Sequence, residues 1–259
     1  MDLDLGGKTA IVTGASRGIG LAIAEGLAQS GVNVVLVARS AAELEGHAKR
    51  LSRQTKSVAH AADLRDADAA GKAVAAAVAQ FGRLDFLVNN AGATKRGDFA
   101  ALTDADFLDG FALKFHGYVR MTRAAWPALK KTGGAIVNII GVGGRTAAGD
   151  FTIGGSVNAA LFNFTKAIAQ PATRDGIRVN AINPGWIETD RLKARLAQSA
   201  KDKGLDEAAA RAAALADLKV ARFGQPADIA ELVRILLSPR SSYVHGALID
   251  CDGGLTRAI

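Results

Sequence analysis

The sequence has 259 residues, of which 49% are hydrophobic and 22% charged, with 29 glycines, 5 prolines, one cysteine and a net charge of +7. These numbers predict a globular chain and exclude collagen-like repeats, low-complexity disorder and an internal disulfide. The chain shows no secretory leader, no apolar run of roughly 20 residues, no basic patch with interleaved aromatics and no metal-ligand spacing, so we expect a cytoplasmic protein without membrane, nucleic-acid or metal binding.

Short apolar runs alternate with longer helical patterns along the whole chain. The runs predict strands at 10–13, 32–38, 58–62, 84–89, 135–140, 179–182 and 247–250. The periodic segments between them predict helices near 18–30, 41–53, 66–81, 104–131, 155–172 and 226–238. Continuously hydrophobic strands that alternate with helices are typical of a parallel sheet covered on both faces. We therefore predict one α/β domain over residues 1–259, with a Rossmann-like, doubly wound sheet of seven parallel strands.

A glycine-rich loop follows the first predicted strand and precedes the first helix. Gly14 allows a sharp turn, while Gly18 and Gly20 allow the backbone and the helix N-terminus to approach a pyrophosphate. The spacing differs from the usual dinucleotide fingerprint, but a loop of this kind directly after a buried strand still indicates a dinucleotide. The predicted phosphate-binding residues are Gly14, Ser16, Arg17, Gly18, Ile19 and Gly20.

The end of the second predicted strand distinguishes NAD from NADP. An acidic residue at this place would bind a ribose 2′-hydroxyl, but the strand ends in Ala38, Arg39 and Ser40. Arg39 and Arg17 supply planar guanidinium groups that suit a 2′-phosphate. We therefore predict that NADP(H) is preferred over NAD(H), with Ser40 as a further contact. The alternative is that both arginines make ordinary surface ion pairs.

Further motifs follow in chain order. They are Asp63-Leu64, Asn89–Gly92, Arg178–Asn180, Asn183–Thr189 and Asp252–Gly254. Together with the glycine loop, this order resembles the short-chain dehydrogenase/reductase family over nearly the whole chain. The resemblance implies two groups of cofactor-binding residues and a substrate lid at about 190–222. The group on the adenine side is Asp63, Leu64, Asn90, Ala91 and Gly92, and the group at the nicotinamide carboxamide is Pro184, Gly185, Ile187 and Thr189.

The catalytic residues that the resemblance implies are all replaced. The family uses an asparagine, a serine, and a tyrosine followed four positions later by a lysine; the tyrosine transfers a proton and the lysine lowers its pKa. The matching positions are Lys114, Gly141, Gly154 and Asn158. The two tyrosines of the chain, Tyr118 and Tyr243, stand elsewhere, so the usual Tyr-Lys dyad is absent.

Two interpretations of these replacements remain open. In one, an unused site has decayed. In the other, Gly141 and Gly154 open space beside the nicotinamide, and Lys114 reaches into it to stabilise negative charge. Asn158 is then a candidate site residue in place of the lysine, and Asp150 in the neighbouring loop is a candidate acid or base.

Two further features concern the assembly of subunits and the charge of the substrate. Tyr118 lies four residues after Lys114 and could pair with it on one helix face, although packing at a subunit interface is favoured. The resemblance implies a homodimer or homotetramer. Residues 191–222 carry eight Lys/Arg against four Asp/Glu, which indicates a solvated helical face or, less favoured, attraction of an anionic small-molecule substrate.

Three functions follow from these observations. The resemblance favours an NADP(H)-dependent oxidoreductase that acts on an alcohol or carbonyl by a non-standard mechanism. The missing catalytic residues favour a catalytically inactive NADP(H)-binding sensor or partner subunit. A third possibility is a non-redox isomerase or lyase that uses Lys114 as an electrophile.

Overall fold

The computed structural model describes residues 2–257, which contain one seven-stranded parallel sheet. Its strands are β1 (Thr9–Thr13), β2 (Asn33–Ala38), β3 (Ser57–Ala61), β4 (Phe86–Asn89), β5 (Ala135–Ile139), β6 (Arg178–Pro184) and β7 (Leu248–Cys251). They lie in the order β3-β2-β1-β4-β5-β6-β7, and every neighbouring pair is parallel. The predicted single-domain, doubly wound α/β fold is thereby confirmed.

Helices cover both faces of the sheet. They are α1 (Gly18–Gln29), α2 (Ala41–Leu51), α3 (Ala69–Phe81), α4 (Asp104–Gly110), α5 (Gly117–Thr132), α6 (Thr152–Arg174), α7 (Asp190–Lys203), α8 (Glu207–Leu218) and α9 (Pro226–Leu237). Successive side chains of β1 point to opposite faces of the sheet, as they do in any strand, and pack in different helix layers. Val12 joins the core formed by α1, α2 and α9, whereas Ile11 joins the core formed by α3 and α5. Within residues 2–257 no helix combines the length and apolar character needed to cross a bilayer.

The strand order reverses between β1 and β4. Ile11 of β1 lies opposite Val35 of β2 on one side and Leu87 of β4 on the other. Chain connections leave this point in opposite directions, which opens a crevice beyond the carboxyl ends of the two strands. The fold therefore brings the loop after β1 and the loop after β4 together at the usual ligand-binding position of a doubly wound sheet.

The helix predicted at 104–131 is interrupted, which the sequence pattern did not indicate. Residues Phe111–His116 form a π-helical segment between α4 and α5. Glycines flank this segment at positions 110 and 117, where they weaken the regular helix. Gly110 also lets α4 approach α6 closely, since a Cβ at this position would lie 2.4 Å from Ile153 Cγ2. The wider turn changes the direction of Lys114 relative to the residues that follow it.

Arg178 joins the sheet to the end of α9. Its guanidinium donates hydrogen bonds to the carbonyl oxygens of Leu236 (2.6 Å), Leu237 (3.1 Å) and Ser238 (3.2 Å). The last carbonyl groups of a helix have no partner within the helix, so Arg178 satisfies them from the start of β6. This contact explains the Arg178 motif as a structural feature.

Replacing Arg178 by methionine is expected to lower the free energy of unfolding by about 2–4 kcal/mol, because several carbonyl groups lose their donor. Arg174→Met is the matched control, since the Arg174 side chain is 78% exposed on α6. Its unfolding free energy should stay within about 0.5 kcal/mol of that of the parent. Urea unfolding of both variants measures the difference, and equal losses would contradict this role of Arg178.

Candidate active site

The glycine loop after β1 is shaped by two left-handed glycines and one tight backbone contact. Gly14 and Gly18 have φ values of +66° and +57°, which side chains other than glycine rarely adopt. A Cβ at Gly20 would lie 2.2 Å from the carbonyl oxygen of Gly14. Gly20 therefore allows the loop to fold against the helix behind it. Its predicted role beside the pyrophosphate stays a prediction.

The N-terminus of α1 suits the phosphates of a dinucleotide. In the described part of the chain, α1 begins at Gly18 with neither a side-chain cap hydrogen bond nor an acidic residue in its first turn. Its first N–H groups and the positive end of its dipole can therefore receive an anion. Arg17 is exposed directly before the helix, and Ser16 and Ile19 are partly buried beside it. These residues fit the phosphate-binding role predicted for them.

Two residues that the sequence analysis missed hold this loop in place. Thr13 Oγ1 accepts hydrogen bonds from the backbone N–H groups of Asn90 (2.8 Å) and Ala91 (3.0 Å), and the Asn90 side chain donates to Thr13 O (3.0 Å). His47 of α2 contacts the carbonyl oxygen of Ser16 through Nε2, at 3.0 Å. The sequence could have indicated Thr13, because a hydroxyl residue directly after an apolar strand is able to bind a neighbouring loop. It could not have indicated His47, which lies on α2, 31 residues from Ser16.

The predicted adenine side contains a small ionic network. The Asp63 carboxylate accepts a hydrogen bond from the Arg65 backbone N–H at 3.0 Å. The Arg65 guanidinium lies 3.4 Å from Asp63 and binds Asp109 through Nε at 2.7 Å, and these contacts lower the pKa of Asp109. Leu64 is buried, while Arg39 is exposed at the end of β2. Arg65 thus orients the loop that contains Asp63.

Arg39 and the neighbouring Ser40 are both exposed where β2 ends and α2 begins. A 2′-phosphate would meet a cation and a hydroxyl at this position, and no carboxylate stands at the strand end. The donor set therefore fits NADP(H).

The predicted nicotinamide side approaches the glycine loop. A Cβ at Gly18 would lie 3.3 Å from Thr189 Cγ2, so the two motifs face each other across a narrow distance. A Cβ at Gly185 would lie 2.7 Å from Asp252 Cβ, which explains the small residue after Pro184. Ile187 is buried and pairs with Gly224. The fold therefore brings the predicted phosphate-binding loop and the predicted nicotinamide-binding residues together.

Lys114 reaches across the loop after β4 to the end of β5. A Cβ at Gly92 would lie 2.8 Å from Lys114 Cδ, so the lysine side chain passes directly over this glycine. Lys114 Nζ donates hydrogen bonds to Ile140 O at 2.6 Å and to Asn158 Oδ1 at 2.7 Å. Burial, and secondarily the charge of Arg191, lower the pKa of Lys114 to about 7. The ammonium is thus held at the position where the family resemblance places the catalytic groups.

Asn158 orients Lys114 rather than facing solvent. Its side chain is buried within α6, with the residue only 3% exposed. Asn158 Oδ1 accepts from Lys114, and Asn158 Nδ2 donates to Gly141 O at 3.3 Å. Gly141 has a φ of +122°, so its conformation also favours glycine. Lys114 and Asn158, the two residues that the family resemblance predicts to be exchanged, are therefore in direct contact.

The space predicted beside Gly154 is filled. A Cβ at Gly154 would lie 2.1 Å from two ring atoms of Phe151, so the aromatic ring occupies the place of a side chain there. At Gly141 the nearest atom to such a Cβ is Asn158 Nδ2, at 3.2 Å. The prediction of open space was therefore wrong at both glycines, because Phe151 folds back over α6 at Gly154 and the Asn158 amide lies against Gly141.

Tyr118 does not pair with Lys114, and it does not lie on an exposed interface. The residue is 1% exposed, and its hydroxyl donates to Ile139 O at 2.7 Å. Burial raises the pKa of Tyr118 far above its ordinary value. The π-helical segment separates the directions of residues 114 and 118, so the pair inferred from helical spacing does not form. The interface interpretation is wrong because Tyr118 is buried within the chain.

Asp150 is engaged by an arginine. Its Oδ2 accepts a hydrogen bond from Arg96 Nη1 at 2.7 Å, and its side chain is 56% exposed. The Asp150 carboxylate is therefore largely solvated and occupied by Arg96. We therefore do not propose Asp150 as the acid or base. In the described part of the chain, no group of three His, Cys, Asp or Glu residues is placed to bind a metal ion.

The predicted lid consists of α7 and α8, which pack over Trp186. Trp186 stacks on Phe223 with 6.0 Å between the ring centroids, and the Arg195 guanidinium lies 3.8 Å from the Trp186 centroid. Four lysines of this segment are exposed to solvent, as the solvated-face interpretation expects; they are Lys193, Lys201, Lys203 and Lys219. Arg191 is exposed as well, but its guanidinium donates to Gly92 O at 3.0 Å. Much of the charge of this segment is therefore solvated, but two arginines contact the cleft.

Comparison with known proteins identifies the family of this chain. The family model described as enoyl-(acyl carrier protein) reductase matches residues 14–256. An uncharacterized oxidoreductase of Mycobacterium tuberculosis is 36% identical over 253 residues, covering 96% of this chain and 92% of its own length. The 3-oxoacyl-(acyl-carrier-protein) reductase FabG of Vibrio cholerae is 32% identical over 257 residues, covering 98% of this chain and 99% of its own.

A solved structure extends this similarity to the whole chain. The L-sorbose reductase of Gluconobacter frateurii, in complex with NADPH and L-sorbose, has a TM-score of 0.95 and 32% sequence identity, with both chains fully covered. The family match and these relatives span the glycine loop, the motif after β4 and the end of β6. The chain therefore belongs to the short-chain dehydrogenase/reductase family.

Proposed function

We propose that this protein is an NADP(H)-dependent oxidoreductase that interconverts a carbonyl compound and its alcohol, with Lys114 as the proton donor and acceptor. The observation that carries the proposal is the position of Lys114 Nζ, which Ile140 O and Asn158 hold at the end of β5. The reductase activities of the relatives and the NADPH in the L-sorbose reductase complex support the reaction class and the cofactor.

The cofactor, when bound, supplies or accepts the hydride. Lys114 is the group of this chain that handles the accompanying proton: in reduction its ammonium donates to the carbonyl oxygen, and in oxidation its neutral amine accepts from the alcohol. A pKa of about 7 suits both roles, because both protonation states are populated near neutral pH. The ammonium also stabilises negative charge on the oxygen as the hydride arrives.

Asn158 and Ile140 have a positioning role in this reaction. An ammonium has three N–H donors, and the two acceptors engage two of them. This arrangement directs the third N–H towards a substrate oxygen. Gly92 allows the lysine side chain to pass, because any larger residue would meet it. The lysine is therefore held in place before the substrate binds, which lowers the cost of orienting it.

Isotope transfer tests the proposed reaction. NADPH labelled with deuterium at C4 of the nicotinamide is incubated with the protein and acetoacetate, ethyl acetoacetate or L-sorbose, and the product alcohol is analysed by mass spectrometry. Stereospecific transfer of deuterium from one face of the nicotinamide supports the proposal. Unchanged NADPH with all three ketones contradicts it, and a new product without NADPH oxidation would indicate isomerase or lyase chemistry.

One observation favours the alternative of a non-catalytic NADP(H)-binding sensor or partner subunit. Phe151 fills the space at Gly154, the position at which the family resemblance predicts a tyrosine, so an apolar ring lies where that resemblance expects a proton donor. Tight NADPH binding by calorimetry, with no turnover across a broad set of ketones, aldehydes and alcohols, would support this alternative over the oxidoreductase.

The rate of reduction should depend on the protonation of Lys114. Its pKa lies near 7 rather than the ordinary 10.5, so the ammonium is the main form only below about pH 7. We expect kcat/KM for carbonyl reduction to be constant below this value and to fall about tenfold per pH unit above it. For alcohol oxidation the dependence should be opposite. Steady-state kinetics at saturating cofactor, between about pH 5.5 and 9, measure both pH profiles, and each profile should show one inflection. A flat profile would contradict Lys114 as the proton donor and acceptor.

We further propose that the chain works as a cytoplasmic homodimer or homotetramer, as members of its family are expected to do. The mass of one chain is 26.7 kDa. Multi-angle light scattering should therefore give two or four times this mass, and a value equal to one chain would contradict the proposal.

A further inference from the structure

Helix α7 of the predicted lid has two arginines at the cleft. Arg191, in the first turn of α7, donates from Nη2 to Gly92 O at 3.0 Å. Arg195 follows four residues later, which places it about 6 Å further along the helix axis. Its guanidinium lies over the Trp186 ring, at 3.8 Å from the ring centroid. The two arginines therefore extend along one side of the cleft, with Arg191 at the cofactor motif and Arg195 beyond it.

A third arginine approaches from the opposite side. Arg96, in the loop after β4, lies over the Phe151 ring at 4.0 Å from its centroid. Arg191 binds the carbonyl oxygen of Gly92, over which the Lys114 side chain passes, and Arg96 lies on the ring that fills the space at Gly154. We name Arg96, Arg191 and Arg195 the cationic cluster; Arg191 and Arg195 are exposed to solvent.

An acidic side chain contacts this cationic cluster, since Asp150 accepts a hydrogen bond from Arg96 at 2.7 Å. Three arginines exceed the charge of this carboxylate, and like charges at close range disfavour one another unless an anion is bound between them. Arginine is also well suited to carboxylate recognition, because its planar group can donate two parallel hydrogen bonds. The cluster therefore has the properties of an anion-binding site.

The two ends of the cluster serve different parts of the cleft. The charge of Arg17 contributes, after burial, to the lowered pKa of Arg191. Arg17 lies in the glycine loop and Arg191 binds Gly92 O, and both are motifs that the cofactor is expected to contact. Arg96 and Arg195 instead lie over the rings of Phe151 and Trp186, and Phe151 covers Gly154 on the substrate side. The position of these two arginines separates them from the predicted phosphate-binding residues.

We propose that the substrate is a carbonyl compound that bears a carboxylate, which Arg195 and Arg96 bind while its carbonyl oxygen faces Lys114. This inference rests on the oxidoreductase function proposed above and specifies its substrate class. The rings of Phe151 and Trp186 form the apolar walls between the carboxylate and the carbonyl. Binding of the anion also fixes the orientation of the carbonyl group, because the two ends of the substrate have different partners.

The test compares a 3-oxo acid with its neutral ester. Acetoacetate and ethyl acetoacetate are titrated into the NADP⁺ complex of the protein by calorimetry, and NADPH oxidation is followed in parallel. We expect acetoacetate to bind at least about tenfold more tightly than the ester. Arg195→Met should weaken acetoacetate binding by about 10- to 100-fold, the range for a lost hydrogen bond to a charged group, and leave ester binding unchanged.

Lys193→Met is the matched control, because it removes one positive charge from the same helix at an exposed position. It should leave the affinity for acetoacetate nearly unchanged. The inference is overturned if wild-type protein binds acid and ester equally or binds neither, or if both variants weaken acid binding alike. It is also overturned if Arg195→Met weakens NADP⁺ binding as much as acid binding, because Arg195 then belongs to the cofactor site.

Failure of the oxidoreductase function is distinguishable from failure of this inference. The calorimetric experiment reports binding of the acid whether or not any hydride is transferred. Selective acetoacetate binding that depends on Arg195, without NADPH oxidation, would support the anion site and contradict the proposed reaction. Reduction of the ester at the same kcat/KM as the acid would support the reaction and overturn the carboxylate preference.

Discussion

Replacing Lys114 by methionine is expected to slow NADPH-dependent carbonyl reduction by about 10²- to 10⁴-fold, the range for loss of a positioned acid. Lys114 is held by Ile140 O and Asn158, and it is the positioned proton donor that the proposed reaction uses. Methionine keeps an unbranched side chain over Gly92 but has no group that can donate or accept a proton in the reaction. The affinity for NADPH should change much less than the rate, because the glycine loop and the end of β6 are untouched.

Lys131→Met provides the matched control. Lys131 is exposed near the end of α5, so its replacement removes the same charge without entering the cleft. Steady-state NADPH oxidation gives the rates, NADPH fluorescence titration gives the affinities, and thermal unfolding shows whether each variant folds. Turnover that survives in a folded Lys114→Met variant would mean that another group supplies the proton.

Asn158 provides a graded test of the same arrangement. Because it orients Lys114 through Oδ1, its loss should reduce the rate less than loss of the lysine itself. The pH dependence should move as well, since the amine would lose an acceptor that favours its protonated form. A purely structural role would lower stability without shifting the inflection of the pH profile.

The sheet could be predicted closely because its strands are short, apolar and separated by turn residues. The runs at 10–13 and 135–140 differ from the observed Thr9–Thr13 and Ala135–Ile139 by one residue each. A strand buried on both faces carries this pattern in its own residues, so local sequence suffices. The same holds for the glycine loop, in which Gly14 and Gly18 have the positive φ that their turn requires.

The interior of the site could not be predicted in the same way. The π-helical segment at Phe111–His116 has the same periodic composition as an ordinary helix, so residue spacing suggested a Lys114–Tyr118 pair that does not form. The Phe151 ring fills the space at Gly154 because of how a loop folds back, which no local pattern records. Contacts between distant segments decided both outcomes.

The contact between Lys114 and Asn158 is an intermediate case. The exchange of the two residue types was visible once the chain was compared with the family pattern, and it pointed to one place in the cleft. The direction of the lysine was not visible, because it depends on the small size of Gly92 in another loop. Position was therefore predictable, whereas orientation required the three-dimensional structure.

Gly20→Ala is expected to lower NADPH affinity by about 10- to 100-fold, since displaced backbone N–H groups lose charge-assisted hydrogen bonds to the phosphates. The added Cβ would lie 2.2 Å from Gly14 O and 2.5 Å from Asn90 Nδ2, and the first of these is backbone that cannot rotate away. Overpacking of this kind also costs about 1–3 kcal/mol of unfolding free energy. Fluorescence titration and urea unfolding measure the two effects.

Gly71→Ala is the matched control and should have the opposite sign. Gly71 lies exposed within α3, and no described atom lies within 4 Å of a Cβ placed there. Because glycine is a poor helix residue, alanine should raise the unfolding free energy by about 0.5–1 kcal/mol and leave NADPH affinity unchanged. If Gly20→Ala binds NADPH as tightly as Gly71→Ala, the glycine loop does not hold the cofactor phosphates. The cofactor site proposed for this chain would then be wrong, whatever the fate of Lys114.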